Sequence, residues 1–166
     1  MIKLNAVIEE ALEKMDFVTR YEALSNEYNS DRLGNNCRLR YIDGEEVMET
    51  LNDLGYESDF DSKDKFYKTK EEQIGKYIVS TYIVLYNGTV ELIWNVKDAD
   101  EYILGMPWGE YSRLLIDADY IIKKPVFGSY EDLEDILRTA FLMYEDFKKV
   151  LVDKWIYKSF CNDDLN

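Results

Sequence analysis

The run Tyr77-Ile-Val-Ser-Thr-Tyr-Ile-Val-Leu-Tyr-Asn-Gly-Thr-Val-Glu-Leu-Ile-Trp-Asn-Val96 consists of two β-rich segments joined by Asn87-Gly88. A two-residue type I′ turn requires positive φ at both central positions, which Asn and Gly tolerate, so this dipeptide between apolar runs predicts a hairpin. Register follows from the turn. Tyr86 faces Thr89, and Leu85/Val90, Ile83/Leu92, Thr81/Trp94 and Val79/Val96 pair on one nearly apolar side. The other side carries Tyr86/Thr89, Val84/Glu91, Tyr82/Ile93 and Ser80/Asn95. A hairpin alone is marginally stable, so its apolar side needs a cover.

Helices at the two ends of the chain supply that cover. Leu4, Ile8, Ala11, Leu12, Met15, Val18 and Tyr21 recur at helical spacing and predict one amphipathic helix over residues 3–27. Ser129, with Asp132 at the third position after it, caps a second long helix. Its apolar positions Leu133, Ile136, Leu137, Ala140, Met143, Tyr144, Phe147 and Leu151 hold the 3.6 period, and Trp155–Phe160 prolongs it or packs beside it. A short helix is expected over 44–54, capped by Asp43 and ended by Gly55. Strands are expected at Cys37–Ile42, Phe66–Lys70 and Tyr120–Lys124. Residues 107–116 read as a short helix in competition with a strand over Ser112–Ile116. The fold class is α+β: one domain over residues 1–166, a mainly antiparallel sheet of four to five strands built around Tyr77–Val96, flanked by long N- and C-terminal helices.

Composition narrows the function. The chain carries 20 Lys+Arg against 34 Asp+Glu, a formal net charge of −14 over 166 residues. That field opposes nucleic acid and anionic membranes and attracts basic proteins across about 8 Å at physiological salt. Histidine is absent, which removes Ser-His and Cys-His nucleophile pairs and imidazole metal sites. No phosphate-binding glycine motif occurs. Asp59-Phe60-Asp61 opens like a calcium loop, but Lys63, Asp64 and Lys70 stand where a ligand, a glycine and a bidentate glutamate are needed. Asp98/Asp100 and Asp117/Asp119 would each share a face if they lay in strands, leaving a carboxylate-only divalent-metal enzyme as an alternative. Two cysteines, Cys37 and Cys161, imply no disulfide framework. With no signal-like segment, the expectation is a cytoplasmic protein without cofactor or metal.

Charge clusters between residues 41 and 75, where eleven acidic side chains meet four basic ones. Within that stretch Glu57, Asp59, Asp61 and Asp64 interleave with Tyr56 and Tyr67. Tyr82 and Tyr86, on the mixed side of the hairpin, add aromatic surface of the type that dominates interface hot spots. Trp108, between Pro107 and Gly109, is either a plug for the core edge or an exposed anchor. These nine residues form the candidate partner-binding set. In size, acidity, α+β pattern and lack of catalytic residues, the chain resembles the small cytoplasmic immunity proteins of bacterial contact-dependent and polymorphic toxin systems. Its segment KKPVFGSYEDLEDIL at 123–137, a strand end followed by a capped acidic helix, shares that pattern. The resemblance implies a cognate basic toxin such as a nuclease as partner, no enzymatic activity and no cofactor. The alternative is an acidic regulatory or adaptor domain that binds a protein without inhibiting it. A monomer or weak homodimer is expected in either case.

Overall fold

The computed structural model describes the backbone of residues 2–163 and the side chains of residues 2–153. The central hairpin forms with all the pairs expected: β4 (Tyr77–Tyr86) and β5 (Thr89–Asp98) run antiparallel from Tyr86↔Thr89 to Tyr77↔Asp98. Asn87 and Gly88 take φ of 53° and 75°. Four more strands extend the ribbon: β1 (Ser58–Asp61), β2 (Phe66–Thr69), β3 (Glu72–Ile74) and β6 (Glu101–Leu104). The order is β1-β2-β4-β5-β6, and β3 continues the line of β2 along the same edge of β4. The sheet therefore has six antiparallel strands, more than the four to five expected. Gly75, with φ of 58°, makes the turn from β3 into β4.

Val79, Ile83, Val90, Leu92, Trp94 and Val96 fill one side of the ribbon and are at most 2 % exposed. Helices cover this side. The N-terminal segment is two helices rather than one, α1 (Ala6–Lys14) and α2 (Phe17–Tyr28), separated by Asp16 in the left-handed region at φ 58°. The core positions explain the break. Ile8, Ala11, Leu12 and Met15 face the core from the first segment, and Phe17, Tyr21, Leu24 and Tyr28 from the second. Met15 and Phe17 are two residues apart and cannot share one face of a continuous helix. An aspartate, one of the residues that tolerates positive φ, resets the phase.

The helix α3 (Gly44–Asp53) forms as expected, with the Asp43 carboxylate accepting from the Glu45 N–H at 2.9 Å and Gly55 at φ 99° beyond its end. Residues 107–116 resolve as helix: α4 (Trp108–Leu115) has no strand over Ser112–Ile116. The last helix, α5 (Tyr130–Asp163), starts at the Ser129–Asp132 cap, where Ser129 Oγ accepts from the Asp132 N–H and Asp132 Oδ2 accepts from the Gly128 N–H. Every apolar position expected on its inner face is buried. Its backbone runs through Trp155–Phe160, whose side chains, with that of Cys161, lie outside the described residues.

Two expected strands are absent. Cys37–Ile42 overlaps a 3₁₀ turn at Asn35–Cys37, where Cys37 N–H donates to the Gly34 carbonyl, and forms no ladder; beyond that turn Leu39 N–H donates to the Phe127 carbonyl. Tyr120–Lys124 belongs to an extended strap whose bonds diverge. Lys123 C=O accepts from Ser25 Oγ, Val126 N–H donates to Tyr28 C=O, and Pro125 C=O accepts from Val90 N–H. Groups spread over α2 and β5 satisfy a backbone without building a strand.

Candidate functional site

The sequence-selected acidic residues fall on the β1–β2 hairpin, at one end of the sheet. Glu57 is exposed and lies 3.7 Å from Lys70 Nζ. Asp59 is exposed and stands directly opposite Lys68. Asp61 Oδ1 accepts from the backbone N–H groups of Lys63 and Asp64, so its first task is to close the turn. Asp64 is exposed in that turn. The hairpin thus carries Lys63, Lys65, Lys68 and Lys70 against Glu57, Asp59, Asp61 and Asp64 and is close to neutral.

The acidity of the region belongs to α3 instead. Glu45, Glu46, Glu49 and Asp53 are all exposed, and Asp43 caps the helix. Among the described residues no Lys or Arg pairs with any of these five. The signal is legible in the stretch Gly44-Glu-Glu-Val-Met-Glu-Thr-Leu-Asn-Asp53, whose apolar stripe leaves a polar face with no basic residue.

The aromatic candidates separate. Tyr86 is 76 % exposed at the hairpin end. Tyr82 is half-buried and stacks on Phe66 at 4.3 Å, with Lys68 Nζ 5.8 Å from its centroid. Tyr56 is half-buried, packs on Phe141 at 4.3 Å and donates its hydroxyl to Glu145. Tyr67 is 5 % exposed and Trp108 is 2 % exposed, so neither offers its ring to a partner as the candidate set required. Trp108 is the plug: Phe17, Tyr21 and Trp94 surround it edge-on at 5.2 Å each.

Two cavities meet at the Glu57–Lys70 pair. A groove of about 630 Å³ separates α3 from β1, lined by Met48, Glu49 and Asn52 on one wall and Ser58 and Asp59 on the other. A cleft of about 510 Å³ runs from Tyr56 and Glu57 to Glu72, Glu145 and Lys148. At its floor the Lys148 side chain is 6 % exposed. Its ammonium donates to Glu72 Oε2 at 2.8 Å, lies 2.6 Å from Glu145 Oε1 and stands 4.6 Å from the Tyr144 ring centroid. Burial alone would raise the Glu145 carboxyl. The hydrogen bonds from Lys148 and Tyr56 and the charges of Lys148 and Lys149 outweigh it, holding its pKa below the ordinary 4.5. Tyr56 is pushed well above its ordinary 10.0 by burial first and by its bond to Glu145 second. Sequence reasoning passed over this cluster. Its signal was a lysine in helical phase with Tyr144 and Leu151 on the apolar stripe of α5.

Neither carboxylate pair considered for metal chemistry lies within a strand. Asp98 ends β5 and pairs with Lys76 at 3.0 Å, with Asp100 in the following turn. Asp117 Oδ1 accepts from the Asp119 N–H within a turn. Among the described residues no three Asp, Glu or Cys side chains are grouped as metal ligands, and no helix is long and apolar enough to cross a membrane.

The fold and this site define an α+β protein with an uncompensated acidic helix beside the edge strand of an antiparallel sheet. No protein-family model, curated protein or solved structure matches the chain.

Proposed function

We propose that this chain is a non-catalytic protein-binding domain that receives a basic protein on the face formed by α3 and β1. As the resemblance noted above suggests, it acts as an immunity-type inhibitor of a toxin such as a nuclease. One observation carries the reading: among the described residues the α3 carboxylates are exposed and meet no lysine or arginine, whereas Glu57 and Asp59 on the hairpin beside them have lysines close by. Charge that no internal partner neutralises is available to an external one. It steers encounter, with on-rates up to about 10⁸ M⁻¹s⁻¹ for complementary pairs at low salt. A nuclease presents a basic groove shaped for phosphates, and a ridge of carboxylates imitates them.

The test is capture from a lysate of the source cells, at low salt and again at about 0.5 M salt, where screening falls well inside 8 Å. A basic protein should be recovered at low salt and lost at high salt. Replacing Glu45, Glu46 and Glu49 by Gln together with Asp53 by Asn should abolish recovery, and replacing Glu57, Asp59, Asp61 and Asp64 by Ala should weaken it less. Loss of the captured protein's nuclease activity supports inhibition, and retention of activity turns the reading to an adaptor. Recovery that ignores the α3 variant removes this face from the proposal.

A further inference from the structure

β1 is the terminal strand of the sheet and, among the described residues, pairs only with β2. The ladder tells which of its backbone groups are free. Lys70 N–H donates to Glu57 C=O at 2.9 Å, so by alternation Asp59–Lys68 and Asp61–Phe66 are the hydrogen-bonded pairs. Ser58 and Phe60 therefore turn their N–H and C=O groups away from β2, and Ser58 lines the groove whose far wall is α3. Short edge strands normally deter pairing through charge, and Asp59 and Asp61 do so here against a second copy, since β1 beside β1 would set aspartate against aspartate. The same charges favour a basic strand.

Resting on the function proposed above, we infer that the partner adds an extended segment to the free edge of β1, with Lys or Arg at alternate positions and apolar residues between them. Alternation matches the two sides of β1. On the sheet's outer side the added strand meets Asp59 and Asp61 as cross-strand neighbours. On the α3 side it meets Met48 and the ring of Phe60, which is 45 % exposed and packs on Tyr67 at 4.8 Å. Main-chain bonds supply affinity in such strand addition, and the alternating side chains supply selectivity.

Three synthetic peptides test this on the full chain at low salt: one alternating Lys and Val, one with the same composition but its lysines blocked together, and the alternating peptide N-methylated at every second residue. The alternating peptide should slow amide exchange at Ser58 and Phe60. It should also bind about tenfold or more tightly than either control, the equivalent of at least one good hydrogen-bond pair. Ser58→Pro, which removes one outward donor, should abolish that preference. Phe60→Ala, which keeps its outward N–H, should retain the exchange protection. Equal binding by the alternating and blocked peptides with unchanged exchange at both amides overturns the strand addition and leaves the acidic-face proposal standing. Failure of every peptide to bind overturns the strand addition, while salt-sensitive capture of a basic protein decides the acidic-face proposal separately. Protection at Ser58 and Phe60 that rises with protein concentration in the absence of peptide assigns the edge to a second copy and also overturns the inference.

Discussion

Lys148 allows a prediction in which removing the cation and removing its partners have unequal effects. Its ammonium is nearly sealed from water, while Glu72 and Glu145 are half-exposed, at 50 % and 45 %. Replacing both carboxylates with Gln keeps their shapes, leaves the cation in place and strips its counter-charges. An uncompensated buried charge costs about 3–5 kcal/mol, and the Gln oxygens still accept hydrogen bonds, so a loss of about 3 kcal/mol is expected. Lys148→Met preserves the packed stem and removes the charge itself. It gives up two charge-assisted bonds, but it also removes the desolvation of the ammonium and lets both carboxylates rehydrate. The expected loss is about 1 kcal/mol or less. Urea unfolding at pH 7, followed by tryptophan fluorescence, measures both. A Lys148→Met loss equal to or greater than that of the double variant would refute the reasoning.

Tyr111 is fully buried, and its hydroxyl accepts from the Trp94 N–H at 3.1 Å. Tyr111→Phe should therefore cost about 1–3 kcal/mol and speed amide exchange at Trp94. Gly88→Ala should cost about 1–3 kcal/mol by chemical denaturation, because φ is 75° and the new Cβ would sit 2.6 Å from Arg38 Cβ, whereas Gly34→Ala, with nothing within 4 Å, should stay within about 0.5 kcal/mol. The lowered Glu145 pKa means that its contribution to stability is complete above the ordinary value and is lost as pH falls below 4.5, so Glu145→Gln should flatten the acid limb of a stability–pH curve. Glu49→Lys turns two repulsive i,i+4 pairs, with Glu45 and Asp53, into attractive ones. It should stabilise the protein by about 0.5–1 kcal/mol in thermal melts while weakening capture of a basic partner.

What the sequence disclosed and what it withheld divide along local and non-local interactions. The Asn87-Gly88 turn is a local constraint strong enough to set the register of ten residue pairs, and Trp94 lands in the core because of it. The Ser129–Asp132 cap and the stripe of α5 are equally local. The break at Asp16 was legible only by asking whether Met15 and Phe17 could both be buried, since the apolar spacing through Val18 mimics an unbroken helix. The strap around Tyr120–Lys124 looks like a strand because its residues suit one, yet its partners on α2 and β5 are set by tertiary packing. The acidic site shows the same division. Charge density over residues 41–75 was visible, but which carboxylates were already beside lysines depended on the β1–β2 register, and that moved the emphasis from the hairpin to α3.

That shift bears on why the acidity is there. Carboxylates on an edge strand explain themselves, because Asp59 and Asp61 deter self-association of β1 and Asp61 also closes its turn. The α3 carboxylates have no comparable internal use beyond the first turn. Asp43, Glu45 and Glu46 suit the positive end of the helix dipole, but Asp53 sits at the negative end, and Glu49 repels both Glu45 and Asp53 one turn away. Each of these contacts costs a few tenths of a kcal/mol in the isolated chain. Solubility needs no such placement, since a net charge of −14 is large whichever faces carry it. On the function proposed above, a basic chain bound beside this helix relieves its self-repulsion, so the local cost in the free protein returns as selectivity for the partner.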